Sequence, residues 1–325
     1  MGLRRWCTSL MSFFACSQTW PLLSPVGATG RPDETLSNSR VPILVVPADL
    51  GGLNADPIRT VSSAHGGYTG TLGGKGEYAV AKWSRDYRFM FARRRTDRAL
   101  VFFRYDLVRG KFTGPFDISA NFARDRIHYT VVASTFDISP NGDQLICGNR
   151  KDGVWVVDLR SGRKETILSS RLFPSGFHDL AWNPRAREFA FSVEGRDSRN
   201  ESDEPFDDIW LARLDGSHLR KLGHGWRPHW AGSGRALLCV VGRGQEARLY
   251  DTVNRKFRTL RKGVYESVQH AVFSPDGKYI AIYEDYRPEI PDRFGLFLMD
   301  TSGRIIRKLA AGDKVPVDVN DSVEW

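Results

Sequence analysis

Seven residues of this 325-residue chain stand just upstream of recurring aromatic positions: His178 before Trp182, Trp226 and Arg227 before Trp230, Gln269 and His270 before Phe273, and Asn320 and Asp321 before Trp325. Imidazoles, a carboxylate and an amide gathered in one ring are the donor types that hold a divalent cation. The same residues suit a polar ligand or a protein partner, or plain structural hydrogen bonding, and the three readings stay open. Side chains alternate along a strand. Counted back from the aromatic anchors, His178 lies at an even offset and His229 and His270 at odd ones, which weakens the metal reading. His229 adjoins Trp230 and is expected to point into a layer between sheets. No catalytic residue, metal ligand set or cofactor is assigned.

The elements that would position these residues come from a repeat. Its cleanest copy runs Phe273-Ser-Pro-Asp-Gly-Lys-Tyr-Ile-Ala-Ile-Tyr283, then Gly295-Leu-Phe-Leu-Met-Asp-Thr-Ser-Gly303, then Ile305 to Leu309. Pro275 presets one turn dihedral and Gly277 can take positive φ. The strand from Tyr279 to Tyr283 is apolar on both faces and therefore buried on both sides. The same grammar opens at Trp83, Ile138, Trp182 and Trp230, at intervals of 55, 44, 48 and 43 residues. One four-stranded propeller blade takes about 40–50 residues. A last anchor, Ser322-Val-Glu-Trp325, stands 52 residues after Phe273 with nothing following it. Pro42 to Val46 and Ile58 to Val61 match the last two strands of the repeat, so the C-terminal strand is expected to join an N-terminal blade and remove the open edge. No second strand is found for that blade between Thr29 and Arg40, which leaves it with as few as three. The expectation is an all-β, six-bladed β-propeller over 41–325.

The N-terminus reads as a targeting segment: Arg4 and Arg5, an apolar core from Trp6 to Ala15, and small residues at Val26 and Ala28. A signal peptide over 1–28 and a linker over 29–40 follow. Acylation at Cys16 is the less favoured alternative, since Phe13 stands where a Leu belongs. No later run reaches the ~20 apolar residues that span a bilayer. Cys147 and Cys239 then remain, in no zinc-like spacing. Each lies seven residues after an equivalent turn position, Pro140 or Gly232. They should occupy matching points two blades apart, roughly 20 Å from one another, beyond the ~7 Å a disulfide allows. The net charge of +9 carries little by itself, and the basic stretch from Arg93 to Arg109 is interrupted by Asp97 and Asp106. The acidic loop from Glu194 to Asp208 lacks the spacing of an EF-hand and reads as a solvated hairpin. Within it Asn200-Glu-Ser202 is a glycosylation sequon.

Phe273-Ser-Pro-Asp-Gly-Lys with its following strands, and Asp215-Gly-Ser-His-Leu-Arg-Lys-Leu222, resemble the WD40-like (PD40) repeat of TolB-like and prolyl-oligopeptidase-type propellers. The resemblance spans about residues 41 to 325 and implies fold more than function. The N-terminal α/β domain that accompanies TolB has no room here, and the Gly-x-Ser-x-Gly turn of the peptidase relatives does not occur. The resemblance implies a protein-binding or scaffold module of the cell envelope, periplasmic or secreted. Its expected partners are other envelope or secreted proteins, not nucleic acid, and the chain is expected to carry no transmembrane segment and to be a monomer. The alternative is a small-substrate enzyme of the channel mouth, resembling the metal-dependent oligogalacturonate lyases, which use His and Gln as ligands.

Overall fold

In the computed structural model, residues 43–46, 58–62, 68–72, 78–84, 88–95, 100–106, 109, 111–116, 135–185, 187–195, 206–242, 245–263, 268–284, 295–311 and 322–325 are described. The proposed signal peptide and linker, Asn320, Asp321 and the sequon lie outside them.

The described strands form six four-stranded antiparallel sheets. Five are each built from four consecutive strands. These are β4 (Tyr78–Trp83), β5 (Phe89–Arg95), β6 (Leu100–Asp106) and β7 (Lys111–Phe116); β8 (Thr135–Ile138), β9 (Gln144–Asn149), β10 (Gly153–Asp158) and β11 (Lys164–Leu168); β12 (His178–Trp182), β13 (Glu188–Gly195), β14 (Phe206–Arg213) and β15 (Arg220–His224); β16 (Trp226–Trp230), β17 (Ala236–Val241), β18 (Glu246–Asp251) and β19 (Lys256–Lys262); and β20 (Val268–Phe273), β21 (Tyr279–Glu284), β22 (Gly295–Asp300) and β23 (Ile305–Ala311). The remaining sheet is composite. In it β24 (Ser322–Glu324) pairs with β1 (Ile43–Val46), followed by β2 (Ile58–Val61) and β3 (Tyr68–Leu72). The first strands of neighbouring sheets lie side by side, β4 against β8, then β12, β16, β20 and β24, which returns to β4. This is an all-β propeller.

The composite sheet corrects the strand assignment made from the repeat. Ile43–Val46 and Ile58–Val61 are its second and third strands, not its last two, and Tyr68–Leu72 is the fourth. Tyr-Thr-Gly-Thr-Leu has little apolar pattern and is flanked by glycines. An outermost strand has one pairing partner and needs little burial, so the hydrophobic signal that marks inner strands is weak there.

Burial explains why the repeat looks as it does. From Ile280 to Tyr283 every side chain of β21 is buried. The apolar clusters straddle sheet boundaries. Phe89 and Phe91 pack with Phe136 and Trp155, and Ile146 and Val154 pack with Phe177, Trp182 and Phe191. The core is therefore a set of layers between sheets, and second strands must be apolar on both faces.

The Ser-Pro-Asp-Gly turn is held by its own side chains. Ser274 Oγ accepts from the Tyr279 N–H at 2.9 Å and donates to Asp276 Oδ1 at 2.8 Å, while Asp276 Oδ1 accepts from the Lys278 N–H at 3.0 Å. Ser139 and Asn141 repeat the arrangement, and Ser84 repeats its first bond. The aspartates that end third strands do similar work. Asp300 accepts from the Ser302 and Arg304 N–H groups, and these bonds, the one from the Ser302 hydroxyl foremost, hold its carboxyl down to about 2. The motif residues are structural, and chemistry has to be sought elsewhere.

Candidate functional site: the mouth of the channel

The first strands begin at one end of the propeller, and most of the residues singled out upstream of the anchors sit there. Each of β12, β16 and β20 carries one extra residue relative to its partner, between His178 and Ala181, between Trp226 and His229, and between Val268 and His270. A bulge re-aims side chains. At two of these, Asp179 (φ 46°) and Arg227 (φ 53°) take the left-handed conformation, which costs a non-glycine residue energy and is often found at functional sites. The two occupy equivalent positions, three residues before Trp182 and Trp230.

They are joined. Asp179 Oδ2 accepts from the Arg227 N–H at 3.1 Å and from Ser192 Oγ at 3.0 Å. The Arg227 guanidinium stacks on the half-buried Trp226, 4.4 Å from the ring centroid. Its Nη1 donates to the Gln269 carbonyl at 2.9 Å and contacts His270 Nε2. One arginine thus ties three adjacent sheets. Lys82, on β4, reaches the Leu180 carbonyl on β12 at 3.5 Å.

The electrostatics follow from this crowding. His270 is buried, and its imidazole is held well below its ordinary pKa by loss of solvation and then by the charges of Arg227, Lys82 and His229. It is neutral at pH 7, with Nε2 the acceptor toward the guanidinium and the proton on Nδ1. At the neighbouring sheet Asp207 is pushed up by burial and by Asp179, Glu194 and Asp208, against the opposing influence of His178. His178 itself is exposed at the start of β12.

Of the residues expected at the mouth, the structure brings Trp226, Arg227, Gln269 and His270 together and leaves His178 beside Asp207. Asn320 and Asp321 lie outside the described residues. His229 is buried between sheets, as its odd offset implies. The alternation argument fails only upstream of a bulge, where the extra residue inverts it, as at His178. The sequence reading missed Asp179, Ser192, Asp207 and Lys82. Lys82 had a signal, since it directly precedes Trp83 as His229 precedes Trp230. Asp207 and Glu194 belong to the ends of the acidic stretch read from the sequence as a solvated hairpin, and they lie in β14 and β13.

A divalent cation does not fit these residues. His270 Nε2 faces a guanidinium, and among the described residues no three His, Cys, Asp or Glu side chains gather as ligands. Ser192 donates to a carboxylate already bound to a backbone N–H, which is not the pairing of a nucleophile with a free base. The rim offers fixed cations, carboxylates and a stacked Trp–Arg pair, which is binding chemistry.

No family profile and no curated protein matches the chain. Among solved structures it resembles TolB from Acinetobacter baumannii, with TM-score 0.58, 14% identity and 83% of this chain covered; the chain spans 63% of the length of that TolB. A chain of the nidogen/laminin complex gives TM-score 0.56 at 9% identity, covering 82% of this chain and 92% of that one. Oligogalacturonate lyase in complex with manganese gives TM-score 0.51 at 16% identity, covering 85% of this chain and 75% of that one. Likeness at such identities speaks for architecture. Among the described residues no helix is long and apolar enough to cross a membrane. In fold, the chain resembles these β-propellers.

Proposed function

We propose that the chain is an exported protein-binding scaffold of the cell envelope, with a signal peptide over 1–28, a linker over 29–40 and a propeller over 41–325 whose composite sheet is the sixth blade of a closed ring. Its partners are envelope or secreted proteins, engaged at the mouth by a monomer. The observation that carries the reading is the Trp226–Arg227 pair, stacked, half-buried and braced across three sheets. Tryptophan and arginine are the residues most enriched where binding energy concentrates, and bracing lowers the ordering cost of binding. The nidogen/laminin neighbour, solved as a protein–protein complex, lends this some weight.

The test is site-specific photo-crosslinking in the exported fraction, with the probe at His178 or, as a control, at Lys256 on the opposite end. A discrete protein adduct from His178 that is lost on Arg227→Ala supports the reading. Adducts that are absent, or equal from both positions, overturn it. Metal analysis separates this reading from the enzyme alternative: a stoichiometric divalent ion in purified protein, lost on His178→Ala, would replace the scaffold with a metal-dependent activity.

A further inference from the structure

The end of the molecule opposite the mouth carries its own signal. Val253 and Ile306 are 70% and 46% exposed, two of the three large aliphatic side chains left open among the described residues. Val253 lies in the turn between β18 and β19. Ile306 is the extra residue of a bulge where β23 leaves its turn, between the Leu298–Arg307 and Met299–Ile305 pairs. Turns between third and fourth strands fall at the end away from the mouth. The two hairpins touch, since Arg258 Nη2 donates to the Thr301 carbonyl at 2.6 Å.

The same two hairpins are strongly basic. Beside the turns, from Asp251 to Arg258 three Lys and Arg stand against one carboxylate, and from Asp300 to Arg307 two stand against one. Both carboxylates are engaged by their own turns, and Asp300 also pairs with Arg304 at 3.2 Å. Asp251 accepts from the Val253 and Asn254 N–H groups, and Asp300 from those of Ser302 and Arg304. Arg255, Lys256 and Arg258 are exposed, and Arg255 is displayed from the left-handed region at φ 55°.

We propose that this end is a docking surface for an anionic lipid bilayer. Arg255, Lys256 and Arg258 take phosphate-bearing headgroups, and Val253 and Ile306 enter the headgroup layer. Cations alone would serve a soluble polyanion equally well. The aliphatic pair set among them favours a lipid surface, which rewards apolar insertion and positive charge together. The mouth then faces away from the bilayer, open to a partner.

The experiment is co-sedimentation of the full chain with vesicles containing phosphatidylglycerol, with vesicles of phosphatidylcholine alone, and retention on heparin as a soluble polyanion. Residues 1–28 are common to all variants, so differences between variants report the patch. The expected result is binding to the anionic vesicles that weakens with salt, falls about tenfold or more in Arg255→Glu/Lys256→Glu, and falls measurably in Val253→Ser/Ile306→Ser with heparin retention unchanged. All four positions are exposed, and unchanged melting temperatures will verify that the variants fold. Vesicle binding insensitive to the aliphatic pair would identify a general polyanion site and overturn the proposal. Equal binding of wild type and the charge-reversed variant would overturn it as well.

Discussion

His229 Nδ1 accepts a hydrogen bond from the backbone N–H of Phe273 at 3.2 Å, across the boundary between two sheets. Asp137 does the same for the Trp182 N–H at 2.6 Å. Each acceptor directly precedes its own anchor, Trp230 or Ile138, so the bond latches one first strand to the next. His229→Ala leaves a buried N–H without its acceptor and should lower unfolding stability by about 1–3 kcal/mol. His229→Asn, which restores an acceptor, should recover part of the loss. Urea unfolding of the three proteins checks this, and an unchanged midpoint in the alanine variant would show that the latch adds nothing.

Arg261 and Glu284 form a two-bond ion pair between adjacent sheets, at 2.5 and 3.2 Å, with the Glu284 side chain 1% exposed and that of Arg261 28% exposed. The two partners should respond differently to deletion. Arg261→Ala strands a buried carboxylate and should cost about 3–5 kcal/mol. Glu284→Ala leaves an arginine that reaches water and should cost less. A reversed order in thermal melts would show that packing around Glu284, and not its charge, dominates.

Cys147 and Cys239 are free and fully buried. Burial pushes both thiols up to about 12 from a reference value of 9.0. The unfolded chain therefore releases these protons first. Stability should be intact below about pH 9 and fall between about pH 9 and 12, by roughly 1.4 kcal/mol per pH unit for each thiol. In Cys147→Ala/Cys239→Ala this share of the slope should vanish even though the variant is less stable throughout. Alkylation of the native protein should be slow until it unfolds. Fast native labelling, or a mass deficit of one disulfide, would contradict the buried, separated placement.

Trp325 is buried, and the strand before it pairs Leu44 with Glu324 and Val45 with Val323. Deleting residues 322–325 removes this pairing and a large buried aromatic, the loss of which alone costs about 3–5 kcal/mol. The truncated chain should melt lower and aggregate through the edge it exposes. Size-exclusion chromatography and a thermal melt check this, and wild-type behaviour would mean that the β24–β1 pairing does not hold the ends together.

Local chemistry was legible in the sequence. The Ser274 bond to the N–H of Tyr279, five residues on, is short-range, so the residue types that make it recur wherever the turn recurs. Strands apolar on both faces betrayed the layers between sheets. Cys147 and Cys239 could be placed on matching second strands because both follow the same turn at the same distance. Tyr68–Leu72 was not legible, since an edge strand carries little hydrophobic pattern. The mouth was only half legible. Its residues could be collected as neighbours of the anchors, but the contact of Arg227 with His270, the bond that the Arg227 N–H donates to Asp179 and the reach of Lys82 to Leu180 join positions 43, 48 and 98 residues apart. A bulge adds one residue and inverts side-chain alternation upstream of itself, and no local pattern says which first strands stand beside or across from each other. Closing the sheets around a channel settles both, and only the tertiary structure contains that closure.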